Sequence, residues 1–155
     1  MSWIDKNDMF YDGSEAAITA TGISSVKQVA AGNVGLSPQS NAIVDLGGTE
    51  NLWLVLVPTV TGTGAGTVTF TLLSDSTADL ATTPTTHWTS AALVGTTMVA
   101  GTPIAAFPLP SGRYEKFLGI KHTVASTVGA LKLNGYLTNS YDAVKYYAAG
   151  SIIGV

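Results

Sequence analysis

The sequence of 155 residues contains no cysteine, which excludes a disulfide framework, a thiolate metal site and a cysteine nucleophile. It contains only two histidines, His87 and His122, and no spacing joins either of them to further ligands. Zinc sites usually need three or four protein ligands. We therefore expect a structural or surface role for both histidines, and neither a metal nor another cofactor.

Charge is also scarce. Only 11% of the residues are charged, against roughly a quarter in an ordinary soluble domain. A surface of this kind can be buried against a partner without stranding charges, although a stable sandwich with a threonine-rich exterior explains it equally well. The net charge is −3, and the basic residues are scattered: Lys6, Lys27, Arg113, Lys116, Lys121, Lys132 and Lys145. Nucleic-acid binding needs a concentrated basic face, so we expect none.

Long hydrophobic runs are missing as well. The longest, Leu52 to Pro58, is too short to span a membrane. The opening residues lack the basic region and apolar run of a secretory signal. We expect the protein to be synthesised in a cytoplasm and to have no membrane partner.

The motifs that suggest chemistry fail on inspection. Gly62-Thr63-Gly64-Ala65-Gly66 resembles a phosphate loop, but Thr67 occupies the third glycine position and a strand pattern follows. We interpret it as a flexible hairpin loop. The acidic segment from Asp5 lacks the glycine and glutamate of a calcium loop. No Gly-x-Ser-x-Gly elbow occurs, and the ten acids show no convergent pair. We expect no enzymatic activity.

Short strands account for most of the chain. Apolar and β-branched runs bounded by turn residues predict an all-β fold, an antiparallel two-sheet sandwich of jelly-roll type. The clearest runs are Ala42–Leu46, Leu52–Pro58, Thr67–Leu73, Thr86–Leu93, Pro103–Leu109, Lys116–Val124 and Ala130–Thr138. Weaker candidates are Ala16–Ala20 and Ile23–Val29.

In three of these runs, the pattern of apolar residues predicts which side chains are buried. Leu52–Pro58 is apolar on both faces, as in a central strand. Thr67–Leu73 alternates, with its threonines outward. Ala130–Thr138 keeps one apolar parity through Asn134-Gly135, so we predict one strand with a bulge or close packing at Gly135, not a hairpin. The predicted core comprises Trp53, Leu54, Val55, Leu56, Val68, Phe70, Leu118 and Ile120.

The two ends carry aromatic and apolar residues without a repeating period. We divide the chain into an N-terminal arm (1–13), the sandwich (14–138) and a C-terminal tail (139–155). Aromatic side chains are common anchors of protein interfaces. The candidate interface residues are Trp3, Ile4, Phe10, Tyr11, Tyr146 and Tyr147. The alternative is that both ends fold back on the domain's own core.

The opening residues MSWIDKNDMFYDG resemble the start of the capsid cement, or decoration, proteins of certain tailed bacteriophages, the family typified by the Bordetella phage cement protein. Further similarities are Ile43–Gly47, Asn51–Val55 and the Gly-Thr-Gly turn. The alternating strand Thr67–Leu73, the late strand Lys116–Val124 and the close Leu137–Asp142 also fit.

This resemblance implies a jelly roll without an active site that binds the outside of an icosahedral shell and strengthens the contacts between major capsid proteins. The implied partners are the major capsid protein and other copies of the chain, as a dimer or trimer on a capsid symmetry axis. The implied location is the outer capsid surface of the virion. One alternative is a carbohydrate-binding jelly roll of a phage fibre or another virion protein, with Trp53, Phe70, Trp88 and Tyr136 as the available strand aromatics. A small β-barrel enzyme is the other.

Overall fold

Antiparallel strands dominate the computed structural model, which describes residues 9–28, 43–44 and 52–138. One turn of 3₁₀ helix lies at Gly95–Thr97. The strands are β1 (Met9–Asp12), β2 (Gly22–Ile23), β3 (Lys27–Gln28), β4 (Ile43–Val44), β5 (Trp53–Val60), β6 (Thr67–Asp75), β7 (Thr85–Thr89), β8 (Leu93–Val94), β9 (Ala105–Pro108), β10 (Tyr114–Glu115), β11 (Phe117–Val124) and β12 (Lys132–Thr138).

The strands form two main sheets. The first has the order β1-β12-β5-β9. The second has the order β2-β11-β6-β7, with β3 also paired to β11 and β8 to β6, while β10 and β4 form a separate short ribbon. Every pairing between the described strands is antiparallel. The predicted all-β, two-sheet antiparallel sandwich is confirmed, whereas the jelly-roll type stays a prediction.

The core between the sheets follows the predicted alternation. Val68, Phe70 and Leu72 of β6 are fully buried, while the threonines between them are half-buried on the opposite face. From β11, Leu118 and Ile120 join the same cluster. The side-chain period of two therefore assigns one face of the second sheet to the core and the other to the exterior.

Strand β5 is apolar on both faces, as predicted. Leu54 and Leu56 belong to the core between the sheets, whereas Val55 and Val57 pack with Tyr136 in a second buried cluster. Trp53 is only half-buried at the edge of that second cluster, so its placement in the central core was wrong. Trp53 shares the parity of Val55, which directs it away from the other sheet.

Strand β12 runs without interruption through Asn134-Gly135, as the parity of its leucines predicted. A Cβ at Gly135 would lie 2.8 Å from side-chain carbons of both Leu56 and Tyr11. The close packing predicted at this glycine is confirmed, since a side chain there would have to displace Leu56 and Tyr11.

Other boundaries differ from the sequence interpretation. Ala16–Ala20 forms no strand, and Thr86–Leu93 divides into β7 and the start of β8. The segment 62–66 is not a hairpin loop, because β5 and β6 belong to different sheets. Hairpins and crossings between sheets both need short glycine-containing connections, so composition alone did not distinguish them.

Strand β1 corrects the division of the chain. Met9–Asp12 lies in the segment predicted to be an arm, yet it pairs with β12 and forms an edge of the first sheet. At least these four residues therefore belong to the sandwich.

Candidate functional site

Phe10 and Tyr11, two of the predicted interface anchors, are buried in the chain's own core. The register of the β1–β12 pairing shifts between Met9 and Tyr11, so β1 contains a β-bulge there. A bulge places one extra residue in a strand and redirects its side chains, and here both aromatic rings reach the core. The N-terminal segment thus folds back over these residues, which corrects their assignment as contacts to a neighbour. Trp3, Ile4, Tyr146 and Tyr147 lie outside the described residues.

The Tyr11 hydroxyl crosses from the first sheet to the second. It lies 2.8 Å from Nδ1 of His122 and 3.4 Å from the Ile120 carbonyl oxygen. Burial and the negative charge of Glu15 raise the pKa of Tyr11, so the hydroxyl keeps its proton. His122 is 9% exposed, and burial lowers its pKa despite a backbone hydrogen bond at Ala20. A neutral His122 that donates to Ala20 can accept a hydrogen bond from the Tyr11 hydroxyl at Nδ1.

A cleft of about 200 Å³ lies beside this pair, lined by Tyr11, Glu15, Ile18, Ile23, His122 and Leu133 among others. Pockets for drug-sized ligands usually measure about 300–1,000 Å³. This cleft is smaller, and the Tyr11 hydroxyl and the His122 imidazole in its lining are already hydrogen-bonded to each other. The geometry therefore favours a structural role for this hydrogen bond, which connects the two sheets, over a substrate site.

The second histidine makes a similar internal contact. Nε2 of His87 lies 2.7 Å from Oγ of Ser74, and the imidazole stacks on Tyr114 with 3.9 Å between ring centroids. Burial lowers the pKa of His87, although the negative charge of Glu115 opposes this effect. A serine–histidine pair also suggests nucleophilic catalysis. Ser74, however, is fully buried and accepts the Glu115 backbone N–H at 3.1 Å, so its hydroxyl is engaged within the domain.

Asp75 organises the loop that follows β6. Its carboxylate accepts the Thr77 N–H through Oδ1 and the Thr82 and Thr83 N–H groups through Oδ2, at 3.0–3.3 Å. Burial opposes ionisation of Asp75, but these hydrogen bonds outweigh it and hold the pKa below its usual value. The carboxylate therefore acts as an internal acceptor for loop backbone.

Leu80 holds the same loop against the outer face of the second sheet. It is buried despite a left-handed backbone φ of 51°. A Cβ at Gly119 would lie 2.6 Å from Leu80 Cδ1, so the leucine occupies the space that this glycine leaves free. The loop thus covers the part of the outer face around Gly119.

The glycine segment 62–66 packs tightly between two neighbouring loops. Gly64 and Gly66 donate their N–H groups to the carbonyls of Val128 and Thr127, and Gly62 donates to Met98. A phosphate loop presents such N–H groups to its ligand. Here they are occupied by backbone oxygen atoms, so this segment binds the adjacent loops and is not the flexible loop we predicted.

The described residues contain no group of three or more acidic, histidine or cysteine side chains that could hold a metal ion. Among those residues there is also no helix long and apolar enough to cross a membrane.

The exposed half of the second sheet's outer face is built mainly from threonine. One row crosses four strands through the register pairs Ile23–Lys121, Lys121–Thr71 and Thr71–Thr89. The next row contains Thr123 opposite Thr69. We call this surface the threonine face; its residues are Ile23, Thr69, Thr71, Thr89, Lys121 and Thr123. Lys121 is the one charged residue of this face.

A protein-family comparison extends these observations. The model of the Bbp16 family matches residues 13–135, which is most of the chain. The chain belongs to the Bbp16 family. The family's name indicates a protein of a Bordetella bacteriophage, consistent with a structural role in a virion. No curated protein matches the chain.

The Bbp16 match begins at Gly13, the last residue of the opening motif on which the sequence resemblance depended most. It covers the sandwich from the end of β1 into β12. The family assignment therefore rests on the strands themselves, which sequence reasoning had regarded as generic.

The sequence alone did not predict the polar contacts of the two histidines, nor that the residues of the threonine face form one surface. The alternation of β6 did indicate outward threonines, but their neighbours on β2, β7 and β11 depend on register. The contact between Tyr11 and His122 joins residues 111 positions apart, and no local period signals it.

Proposed function

We propose that this Bbp16-family protein is a structural cement protein that binds the outside of an icosahedral bacteriophage shell and strengthens contacts between major capsid proteins. The observation that carries the proposal is the family match over residues 13–135. The geometry agrees with an architectural role, because both histidines and the buried Asp75 are engaged in contacts within the domain.

The terminal segments are the proposed source of contacts between subunits. Met9 pairs with Tyr136, and Thr138 pairs with Trp53 two residues further on. Residues 1–8 and 139–155 are therefore attached to neighbouring strands at one end of the first sheet. Trp3, Ile4, Tyr146 and Tyr147 are the anchors that we assign to them, with the capsid protein and further copies of the chain, as a dimer or trimer, as partners.

Truncation tests this assignment. Because Met9–Asp12 is a strand, the N-terminal deletion should stop at Asp8, and a second variant should lack residues 139–155. Each variant, once shown to melt cooperatively, is added to purified undecorated shells, and its occupancy is measured by electron microscopy. We expect the intact chain to decorate the shells and raise their disruption temperature, and at least one truncation to lower its occupancy tenfold or more.

Failure of the intact chain to bind would overturn the cement proposal. Full occupancy by both truncations would leave the cement function standing and reject the terminal anchors.

We also propose that the protein is not an enzyme and needs no metal. Chelation should leave its melting temperature unchanged, and elemental analysis should find no stoichiometric metal. A stoichiometric metal whose removal lowers the melting temperature would contradict this proposal.

The carbohydrate-binding alternative has less support from the described strands. Phe70 and Tyr136 are buried, and half-buried Trp88 packs on Phe107 with 4.7 Å between ring centroids. Stacking on a sugar needs an accessible aromatic face. Among the four candidates, Trp53 and Trp88 are half-buried and the other two are buried.

A further inference from the structure

The threonine face combines an almost uncharged surface with one cation and one apolar side chain. Ile23 is 41% exposed, which makes it one of three large hydrophobic residues exposed in the described part of the chain. Lys121 is exposed beside it, and no ion pair of Lys121 occurs among the described residues. Threonine is β-branched and stiff at χ1, so burying this face costs little side-chain entropy.

The internal organisation of the second sheet keeps this face in one shape. The opposite face of β6 and β11 carries Phe70 and Ile120, which are fully buried in the core. The Thr89 hydroxyl lies 3.5 Å from that of Thr71, so neighbouring strands are also in contact on the exterior. A partner would meet a preformed surface and would not have to order it.

The charge of Lys121 favours a different protein over a second copy of the chain as the partner of this face. A symmetric pairing of two copies through this face would place both Lys121 side chains in one small interface, which is unfavourable. A different protein can instead present a carboxylate to Lys121 and hydroxyl or amide groups to the threonines. The chain carries a net charge of −3, whereas Lys121 gives this face a local positive charge, which favours an acidic group on a partner.

We propose that the threonine face is the surface with which this protein docks on the shell protein, through a neutral polar patch of the shell that carries a carboxylate opposite Lys121. This proposal rests on the cement function and specifies which surface performs it. Ile23 supplies the apolar contact at the rim, and the threonine hydroxyls can both donate and accept hydrogen bonds.

The size of the face predicts how it binds. Four strands span about 14 Å and the two rows lie about 7 Å apart, so the positions of this face enclose roughly 100 Å². A stable interface usually buries about 800 Å² on each partner. The threonine face therefore needs further contacts to bind stably, and the terminal segments or neighbouring copies on the lattice can provide them.

Charge-reversal variants test the proposal. Lys121→Glu reverses the only charge of the face, and Arg113→Glu makes the same change in net charge in the exposed loop before β10. Thr123→Glu introduces a charge on the face, with Thr102→Glu as its match in an exposed loop. All four are measured for cooperative melting, oligomeric state and occupancy on undecorated shells at low and physiological salt.

We expect Lys121→Glu and Thr123→Glu to melt like the unmodified protein but to need at least tenfold higher concentration for half occupancy. The two controls should decorate normally. If Lys121→Glu and Thr123→Glu bind as well as their controls while the unmodified protein decorates shells, the docking face is elsewhere and the cement function stands. A change of oligomeric state confined to the face variants would identify a second copy as the occupant and overturn the proposal. If the unmodified protein does not bind shells, the cement function fails and this proposal fails with it.

Discussion

The hydroxyl of Tyr11 lies 2.8 Å from Nδ1 of His122, and this contact joins an edge strand of the first sheet to the central β11 of the second. Tyr11→Phe removes the hydroxyl while keeping the ring, which leaves a buried nitrogen acceptor without its partner. We expect a loss of about 1–3 kcal/mol in the free energy of unfolding. Urea titration at neutral pH measures it.

A double-mutant cycle distinguishes the hydrogen bond from ring packing. Replacement of both partners by apolar groups can be nearly neutral, so Tyr11→Phe combined with His122→Leu should cost less than the two single changes together. Strictly additive losses would show that the two groups do not interact.

The two histidines predict a fall in stability on acidification. Burial lowers the pKa of both below the ordinary value of 6.5, so the folded state resists a proton that the unfolded chain accepts. Unfolded chains then bind more protons as the pH falls below 6.5, and stability decreases until the folded pKa values are reached. Urea titrations between pH 7.5 and 5 should show this decrease. In the His87→Gln, His122→Gln variant the same pH range should give a flatter curve, and an unchanged slope would contradict the assignment.

Asp75 acts in a separate, more acidic window. Its folded pKa is lowered from 3.8, so its contribution is complete above that value and disappears as the pH falls through the folded pKa. We therefore expect Asp75→Asn to leave the slope between pH 7.5 and 5 unchanged. Limited proteolysis should then cut residues 76–84 faster, because the loop has lost a charged acceptor.

The glycine segment predicts a sharp difference between two alanine substitutions. A Cβ at Gly64 would lie 2.1 Å from the Thr127 carbonyl oxygen, whereas nothing lies within 4 Å of one at Gly112. Gly64→Ala should destabilise the domain by about 3 kcal/mol or more, since backbone atoms must move. Gly112→Ala should change stability by no more than about 0.5 kcal/mol. Equal melting temperatures for the two variants would contradict the close packing of these loops.

Core truncation provides a matched comparison of burial. Phe70 is fully buried and Val99 is 49% exposed. Phe70→Ala should cost about 3–5 kcal/mol through lost burial and a residual cavity. Val99→Ala should stay within about 0.5 kcal/mol. A small effect of Phe70→Ala in thermal unfolding would place that ring outside the core.

The parts of the fold that depend on local periodicity could be predicted from sequence. Alternation along Thr67–Leu73 and the unbroken parity through Gly135 both specify one face of one strand, and the structure agrees. Contacts that depend on register between distant strands could not. Tyr11 was assigned to an interface because an aromatic residue near a terminus looks the same whether it meets a neighbour or its own core.

The candidate site shows the same division. The outward threonines of β6 followed from alternation, but Ile23 and Lys121 join them only because β2 and β11 pair in one particular register. The segment 62–66 was misjudged for a related reason. Its glycines indicate freedom of the backbone in isolation, whereas the adjacent loops use that freedom for close approach.

The pairing of β1 with β12 has a consequence for how the chain folds. Strand β1 cannot join the first sheet before β12 is in place, because β12 lies between β1 and β5 in the sheet. During synthesis, Phe10 and Tyr11 therefore have no native strand partner until β12 has left the ribosome. Pairings this distant in sequence slow folding through the entropy of loop closure. Nascent chains of this protein should consequently be vulnerable to aggregation and to chaperone capture until β12 has been synthesised.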